Sequence, residues 1–199
     1  MANDKDFKVK NGVQPTRYVE GLGTITAGSE SDFNSITDAG KSFTATQGGA
    51  SYAQAYIKPD GTKMYLLDGS EEAIHQYSLS TAFDVSTASY DSGKTKDITG
   101  YGSNHYGLFF NPNGTQVFVT DFTTIRRFTL TTAWDIATLT FSGRQSKSIG
   151  GSQNRTMYIK SDGTYAYWTE TSSDVVYQSQ MTTPFDVSTL QTPTSFSIA

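Results

Sequence analysis

The chain has 199 residues, a net charge of −4 and a pI near 5.1, with 36% hydrophobic, 13% aromatic and only 17% charged residues. This balance gives no basic field to draw nucleic acid or an anionic membrane surface, and no run of about 18 apolar residues is present to cross a bilayer. The lack of cysteine excludes disulfides, thiolate metal sites and cysteine nucleophiles, and the opening MANDKDFKVKNG lacks the apolar stretch of a secretory signal.

Residues 1–40 match nothing later in the chain. Phe7, Val9 and Val13 lie around Asn11-Gly12, which predicts a small hairpin, and the Gly/Ser/Thr/Asp-rich stretch from Gly21 to Gly40 reads as a loop-rich connector. This arm is too small to fold alone, so it is expected to dock on something larger through Phe7, Val9, Val13 and Tyr18. The next segment, KSFTATQGG at 41–49, has the pattern of the last strand and exit loop of the unit that follows it.

That unit recurs three times. KPDGTKMY at 58–65 returns as NPNGTQVF at 111–118 and as KSDGTYAY at 160–167. SLSTAFDVST at 78–87 returns as TLTTAWDIAT and QMTTPFDVST, and Asp84, Asp135 and Asp186 are 51 residues apart, a propeller-blade period. Asp-Gly or Asn-Gly between alternating apolar segments marks a hairpin tip, so Gly61, Gly114 and Gly163 are predicted turn glycines. Reading outward gives strands at about 52–58 and 63–68, a third ending at Leu79, Leu130 or Met181, and a polar fourth at 94–98, 145–149 and 194–198. The second strand is apolar on both faces, Met64 and Leu66 on one and Tyr65 and Leu67 on the other, and therefore needs cover on both. The expected fold is all-β: a β-propeller-type array of three four-stranded blades, about 50–98, 99–149 and 150–199, within residues 41–199, preceded by the loop-rich arm. Three blades fall short of the about 4–8 that close a ring, so a longer chain or oligomeric completion is expected, the longer chain being preferred.

The unit at 56–87, an aromatic residue followed by KPDGTKMY and YSLSTAFDVST, resembles a repeat of virion proteins of marine tailed phages. The opening Asp6-Phe7-Lys8-Val9-Lys10-Asn11-Gly12 is similar to the start of cyanophage structural and tail-fibre proteins. The resemblance implies a tail-fibre or tail-associated virion protein, assembled in the host cytoplasm, attached by its arm and presenting blades outward. The partners it implies are other virion proteins, a host surface glycan or receptor, and further copies of itself as a homo-oligomer. A capsid fibre or decoration protein is the first alternative. A carbohydrate-active propeller enzyme, which needs two inward carboxylates roughly 5–10 Å apart, is the second.

Little catalytic chemistry is legible. Asp84, Asp135 and Asp186 read as the only acids recurring in register, and as turn residues whose carboxylates accept nearby backbone N–H groups. His75 and His105 fall at unequal places in copies one and two, with Arg126 and Tyr177 at the positions matching His75, so no histidine metal site is expected. No Gly-x-Ser-x-Gly elbow and no phosphate loop is present. No catalytic residue, cofactor or metal is assigned, and the chain is expected not to be an enzyme. Arg126, Arg127, Arg144 and Arg155 concentrate in the middle copy and its neighbour, as a charged patch or as solvated blade edges. Tyr101 and Tyr106 could stack on a glycan, although packing between blades is the commoner use of such rings.

Overall fold

The computed structural model describes residues 16–18, 24–26, 40–49, 51–141, 146–150 and 153–197. The chain divides into two compact units, Met1–Gly40 and Lys41–Ala199. In the first, β1 (Thr16–Tyr18) and β2 (Thr24–Thr26) form an antiparallel pair with Arg17 opposite Ile25. The stretch from Gly21 to Gly40 is thus not all connector. Phe7, Val9, Val13 and the hairpin expected at Asn11-Gly12 lie outside the described residues.

The second unit is all-β, with three antiparallel sheets of four strand positions each. Sheet I runs β3 (Tyr52–Ile57), β4 (Lys63–Asp68), β5 (Ala73–Leu79) and β6 (Ala88–Asp97), in that order. Sheet II has β7 (Gly107–Phe110), β8 (Gln116–Thr120) and β9 (Thr124–Leu130), and its fourth position is split between β10 (Leu139–Thr140) and β11 (Ser146–Ser148), both paired with β9. Sheet III repeats the order with β12 (Asn154–Ile159), β13 (Tyr165–Glu170), β14 (Val175–Gln180) and β15 (Thr194–Ser197). Helix among the described residues is limited to three-residue 3₁₀ turns.

One expectation is corrected in sheet I. The fourth strand begins at Ala88, straight after the 3₁₀ turn Val85–Thr87, and not at Lys94. Tyr77 pairs with Tyr90 and His75 with Thr95, so the extra residues of β6 are absorbed in a register shift. That irregularity has no counterpart in the apolar pattern, which is why alternation alone does not reveal it.

Hairpin tips and the loops after the third strands meet at one end of every sheet. Gly61, Gly114 and Gly163 have φ of +74°, +70° and +74°, the left-handed conformation that side chains resist. Phe83, Trp134 and Phe185 lie over these glycines, and their N–H groups donate to the Gly61, Gly114 and Gly163 carbonyls at 2.9–3.0 Å. The three aromatic residues themselves sit at φ of +62°, +62° and +59°, a costly place for a bulky residue that this glycine seat holds.

The two-sided second strands set the core. Tyr65, Leu67, Ile74 and Ile98 from sheet I pack with Phe110, Val117, Val119, Phe128 and Ile136 from sheet II. Phe118 and Ile125, on the other face of sheet II, pack with Ile159, Ala166, Trp168 and Val187 of sheet III. Each such side chain, fully buried, contributes on the order of 1.5–3 kcal/mol. The remaining face of sheet I, with Met64, Leu66, Tyr77 and Leu79, has Phe43 and Ala45 of the preceding segment against it.

Candidate functional site

The opposite end of each sheet carries a feature that the repeat analysis overlooks. β4 ends in Leu67-Asp68, β8 leads into Thr120-Asp121 and β13 ends in Thr169-Glu170, so an acid recurs at the end of every second strand. All three are buried. The statement that only Asp84, Asp135 and Asp186 recur is therefore corrected. Aligning LLD, VTD and WTE would have exposed the second series; the unequal spacing of the copies there hides it.

Asp68 draws its partners from both the turn after it and the segment before sheet I. Its Oδ1 accepts from the Ser70 N–H at 2.8 Å, the Ser70 hydroxyl at 2.7 Å and the Glu71 N–H at 3.0 Å, and its Oδ2 accepts from the Gly49 N–H at 2.6 Å. Burial works to raise its pKa, but the hydrogen bonds from Ser70, Glu71 and Gly49 prevail and hold the carboxyl below its ordinary value. On β5, His75 is buried, with Nδ1 2.9 Å from the Thr95 hydroxyl and Nε2 4.0 Å from Asp68 Oδ2. Nε2 is buried without a hydrogen-bond partner. Burial lowers the His75 pKa, opposed by the charges of Asp68 and Glu71. Donor atoms of Asp68, Glu71 and His75 lie within 4.8 Å of one another, and two carboxylates with one imidazole are a donor set suited to a divalent cation.

Sheet II uses the same position differently. Arg126 replaces the histidine and its Nη1 donates directly to Asp121 Oδ2, while Asp121 Oδ1 accepts from the Thr123 and Thr124 N–H groups at 2.8 and 2.7 Å. Sheet III has Tyr177 there, and Glu170 accepts from the N–H and hydroxyl groups of Ser172 and Ser173. Approach to the first two acids depends on glycine. A Cβ on Gly48 (φ +86°) would lie 2.2 Å from Asp68 Oδ2, and one on Gly102 (φ +119°) 2.6 Å from Asp121 Oδ2.

The remaining candidates fall into place around these two ends. Asp84, Asp135 and Asp186 cap the 3₁₀ turns, each accepting from the N–H two residues on at 3.1 Å, and Lys41 and Lys94 reach Asp84 and Asp135 at 2.8 and 2.5 Å. His105 is fully buried and its Nδ1 bonds Glu72, linking sheets I and II away from His75. Tyr101 packs edge-on against Phe128 and Phe141. Tyr106 stacks on Phe122 at 4.9 Å beneath the Arg155 guanidinium at 4.1 Å. Arg127 donates to the Phe185 carbonyl at 2.8 Å, so with Arg126 and Arg155 it is engaged internally and forms no free patch; Arg144 lies outside the described residues. Tyr18 lies on β1. Among the described residues no helix is long and apolar enough to cross a membrane.

The fold therefore defines an array of three like antiparallel sheets with a turn-and-lid end and an acid end. No family model and no curated protein matches the sequence. Solved structures do share the fold. A candidate 6-phosphogluconolactonase of Bacteroides uniformis matches with a TM-score of 0.53 at 14% identity, over 72% of this chain and 40% of that one. A protein of unknown function from Desulfotomaculum acetoxidans matches with a TM-score of 0.53 at 16% identity, over 75% and 43%. A second candidate 6-phosphogluconolactonase, from Bacteroides fragilis, matches with a TM-score of 0.52 at 13% identity, over 72% and 39%. The chain thus spans about two-fifths of the length of these structures.

These likenesses overturn the expectation of a tail-fibre or tail-associated virion protein. The three structures above that share its fold are bacterial proteins, two of them candidate 6-phosphogluconolactonases. The phage-like repeat motif consists of turn chemistry, Asp-Gly tips and Phe-Asp caps that close the turns of these sheets, so it does not carry the virion assignment or its capsid alternative. At this level of identity the likeness carries the fold and not the activity.

Proposed function

We propose that residues 41–199 are three consecutive blades of a β-propeller and that the chain works as a binding module without catalysis. The observation that carries this reading is the use of the recurring acids. Asp84, Asp135 and Asp186 cap turns, and Asp68, Asp121 and Glu170 are buried acceptors for the turns that follow them. Carboxylates committed to backbone N–H groups stabilise a scaffold and are poor proton carriers. The two-sided sheets and the likeness to longer solved structures support the radial stacking of blades.

A second reading, hydrolysis of a sugar lactone as the names of the two Bacteroides proteins suggest, is favoured by one observation. His75 Nε2 is buried without a partner and 4.0 Å from Asp68, the composition of a general-base pair. The surroundings oppose it for a phosphorylated substrate, since Asp68 and Glu71 make this corner acidic and would repel a phosphate. The deciding experiment incubates the full chain with 6-phosphogluconolactone and with the unphosphorylated lactone. The expected result is hydrolysis at the spontaneous rate in both. Turnover above that rate that disappears in His75→Gln replaces the binding-module reading with the enzymatic one.

A further inference from the structure

The outer face of sheet III carries the residue types that sheet I presents to sheet II, and the outer face of sheet I carries at the receiving positions Ile57, Phe83 and Val85, the types (Ile159, Phe185, Val187) with which sheet III receives sheet II. Where sheet I meets sheet II, Tyr56 and Tyr65 pack on Phe110 at 5.0 and 4.3 Å, and the Tyr65 hydroxyl donates to the Trp134 carbonyl at 2.7 Å. Gln76 Oε1 accepts from the Ile136 N–H at 3.0 Å. At the matching positions of sheet III stand Tyr158, Tyr167 and Gln178, the same three residue types, and Tyr158 is 55% exposed. Sheet II, whose trailing face meets sheet III, instead has Phe109, Phe118 and Arg127 there. The receiving residues of sheet II, namely Phe110, Val117, Val119, Trp134 and Ile136, correspond in sheet I to Ile57, Met64, Leu66, Phe83 and Val85. That face is apolar and holds a hollow of about 290 Å³ lined by Phe43, Ala45, Tyr52, Met64, Leu66 and Val85.

We propose that a second copy of this chain docks head to tail, the open face of sheet III of each copy on the open face of sheet I of the other, closing one ring from two chains. The inference rests on the propeller reading. Two copies give six blades, within the about 4–8 that close a ring, whereas three copies would overshoot it. The seat for the incoming sheet is visible in the chain itself. Residues 41–45 lie on sheet I as β6 lies on sheet II: Lys41 pairs with Asp84 as Lys94 pairs with Asp135, and Phe43 packs edge-on to Tyr77 at 5.2 Å. β15 carries the same Ser-Phe pair as Ser195-Phe196, and Phe196 is 69% exposed. β15 is hydrogen-bonded into its own sheet through four residue pairs, while 41–45 has no strand pairing. In the docked ring the partner's β15 therefore takes the seat, its Phe196 replaces Phe43, and residues 41–45 leave it.

Sedimentation equilibrium on the full chain tests this. The expected mass is twice 21.7 kDa, and Tyr158→Arg, at a mostly exposed position whose ring also touches Phe109 edge-on, weakens association at least tenfold while the melting of the single chain shows whether the fold is kept. Phe43→Ser, which loosens the segment held in the seat, tightens it. A mass of 21.7 kDa at every concentration overturns the docking, as does a dimer indifferent to Tyr158→Arg. Because the chain has no cysteine, a short bismaleimide linker separates this failure from failure of the propeller reading. Lys94→Cys with Asp135→Cys must join within one chain if neighbouring blades stack as described. Thr194→Cys with Asp84→Cys must join two chains if the ring closes. The first link without the second removes only the docking; loss of the first removes the propeller reading as well.

Discussion

The two ends of each sheet solve their turns in opposite ways. At the hairpin end all three copies use the same parts: an Asp-Gly or Asn-Gly tip, an aromatic lid on the glycine and an aspartate cap one residue later. At the acid end each carboxylate accepts from the turn that follows it, but the residue at the matching place on the third strand differs, being a histidine in sheet I, an arginine in sheet II and a tyrosine in sheet III. The hairpin end is closed by short-range geometry that tolerates one solution. The acid end needs only that a buried carboxylate be satisfied, which several side chains can do, and variation collects there.

Gly114→Val should break the hairpin end most severely. Its Cβ would lie 2.2 Å from the Trp134 ring, and its φ of +70° is closed to a β-branched residue. The loss is expected to be roughly 3 kcal/mol or more, read as a fall in the urea midpoint. Gly93 is the control, since it too has positive φ (+75°) but nothing within 4 Å of its Cβ. Equal losses for Gly93→Val and Gly114→Val would mean that the aromatic lid adds nothing and backbone strain is the whole effect.

At the acid end Asp121→Ala is expected to cost about 3 kcal/mol, because it removes the acceptor of the Thr123 and Thr124 N–H groups and leaves Arg126 without its counter-ion. Asp68→Ala orphans the Ser70, Glu71 and Gly49 N–H groups as well but leaves no unpaired cation, His75 being 4.0 Å away, and should cost less. The comparison sharpens in the double variant Asp121→Ala/Arg126→Leu, which should recover part of the loss. A double variant no more stable than Asp121→Ala alone would show that the ion pair does not set the cost.

Legibility follows the same division. Gly61, Gly114 and Gly163 stand out because turn chemistry is local and written in consecutive residues, and so do the alternating faces of Tyr65 and Leu66. The positive φ of Phe83, Trp134 and Phe185 is invisible in sequence, since an aromatic residue adopts it only once the glycine seat exists. Asp68, Asp121 and Glu170 were hidden for another reason. Each is followed two residues on by a Ser or Thr whose N–H it accepts, but this local pattern falls at unequal spacing in the three copies, and further partners such as Gly49 and Arg126 come from other segments. The register shift in β6 is likewise a tertiary outcome, set by Tyr90 and Thr95 facing Tyr77 and His75.

The smallest expected effect distinguishes the histidine solution from the arginine one by pH. His75 faces Asp68, Glu71, Thr95 and the Tyr52 ring, and burial lowers its folded pKa below the ordinary 6.5. The unfolded chain therefore binds a proton at a pH where the folded chain does not, so protonation favours unfolding and stability falls as pH drops through about 6.5. Asp68, held below its ordinary value, adds its own loss only in stronger acid. Thermal midpoints between pH 8 and pH 5.5 should decline in the natural chain, and His75→Gln should flatten that decline. If the slope survives His75→Gln unchanged, the titrating group lies elsewhere and the histidine solution at the acid end carries no pH dependence.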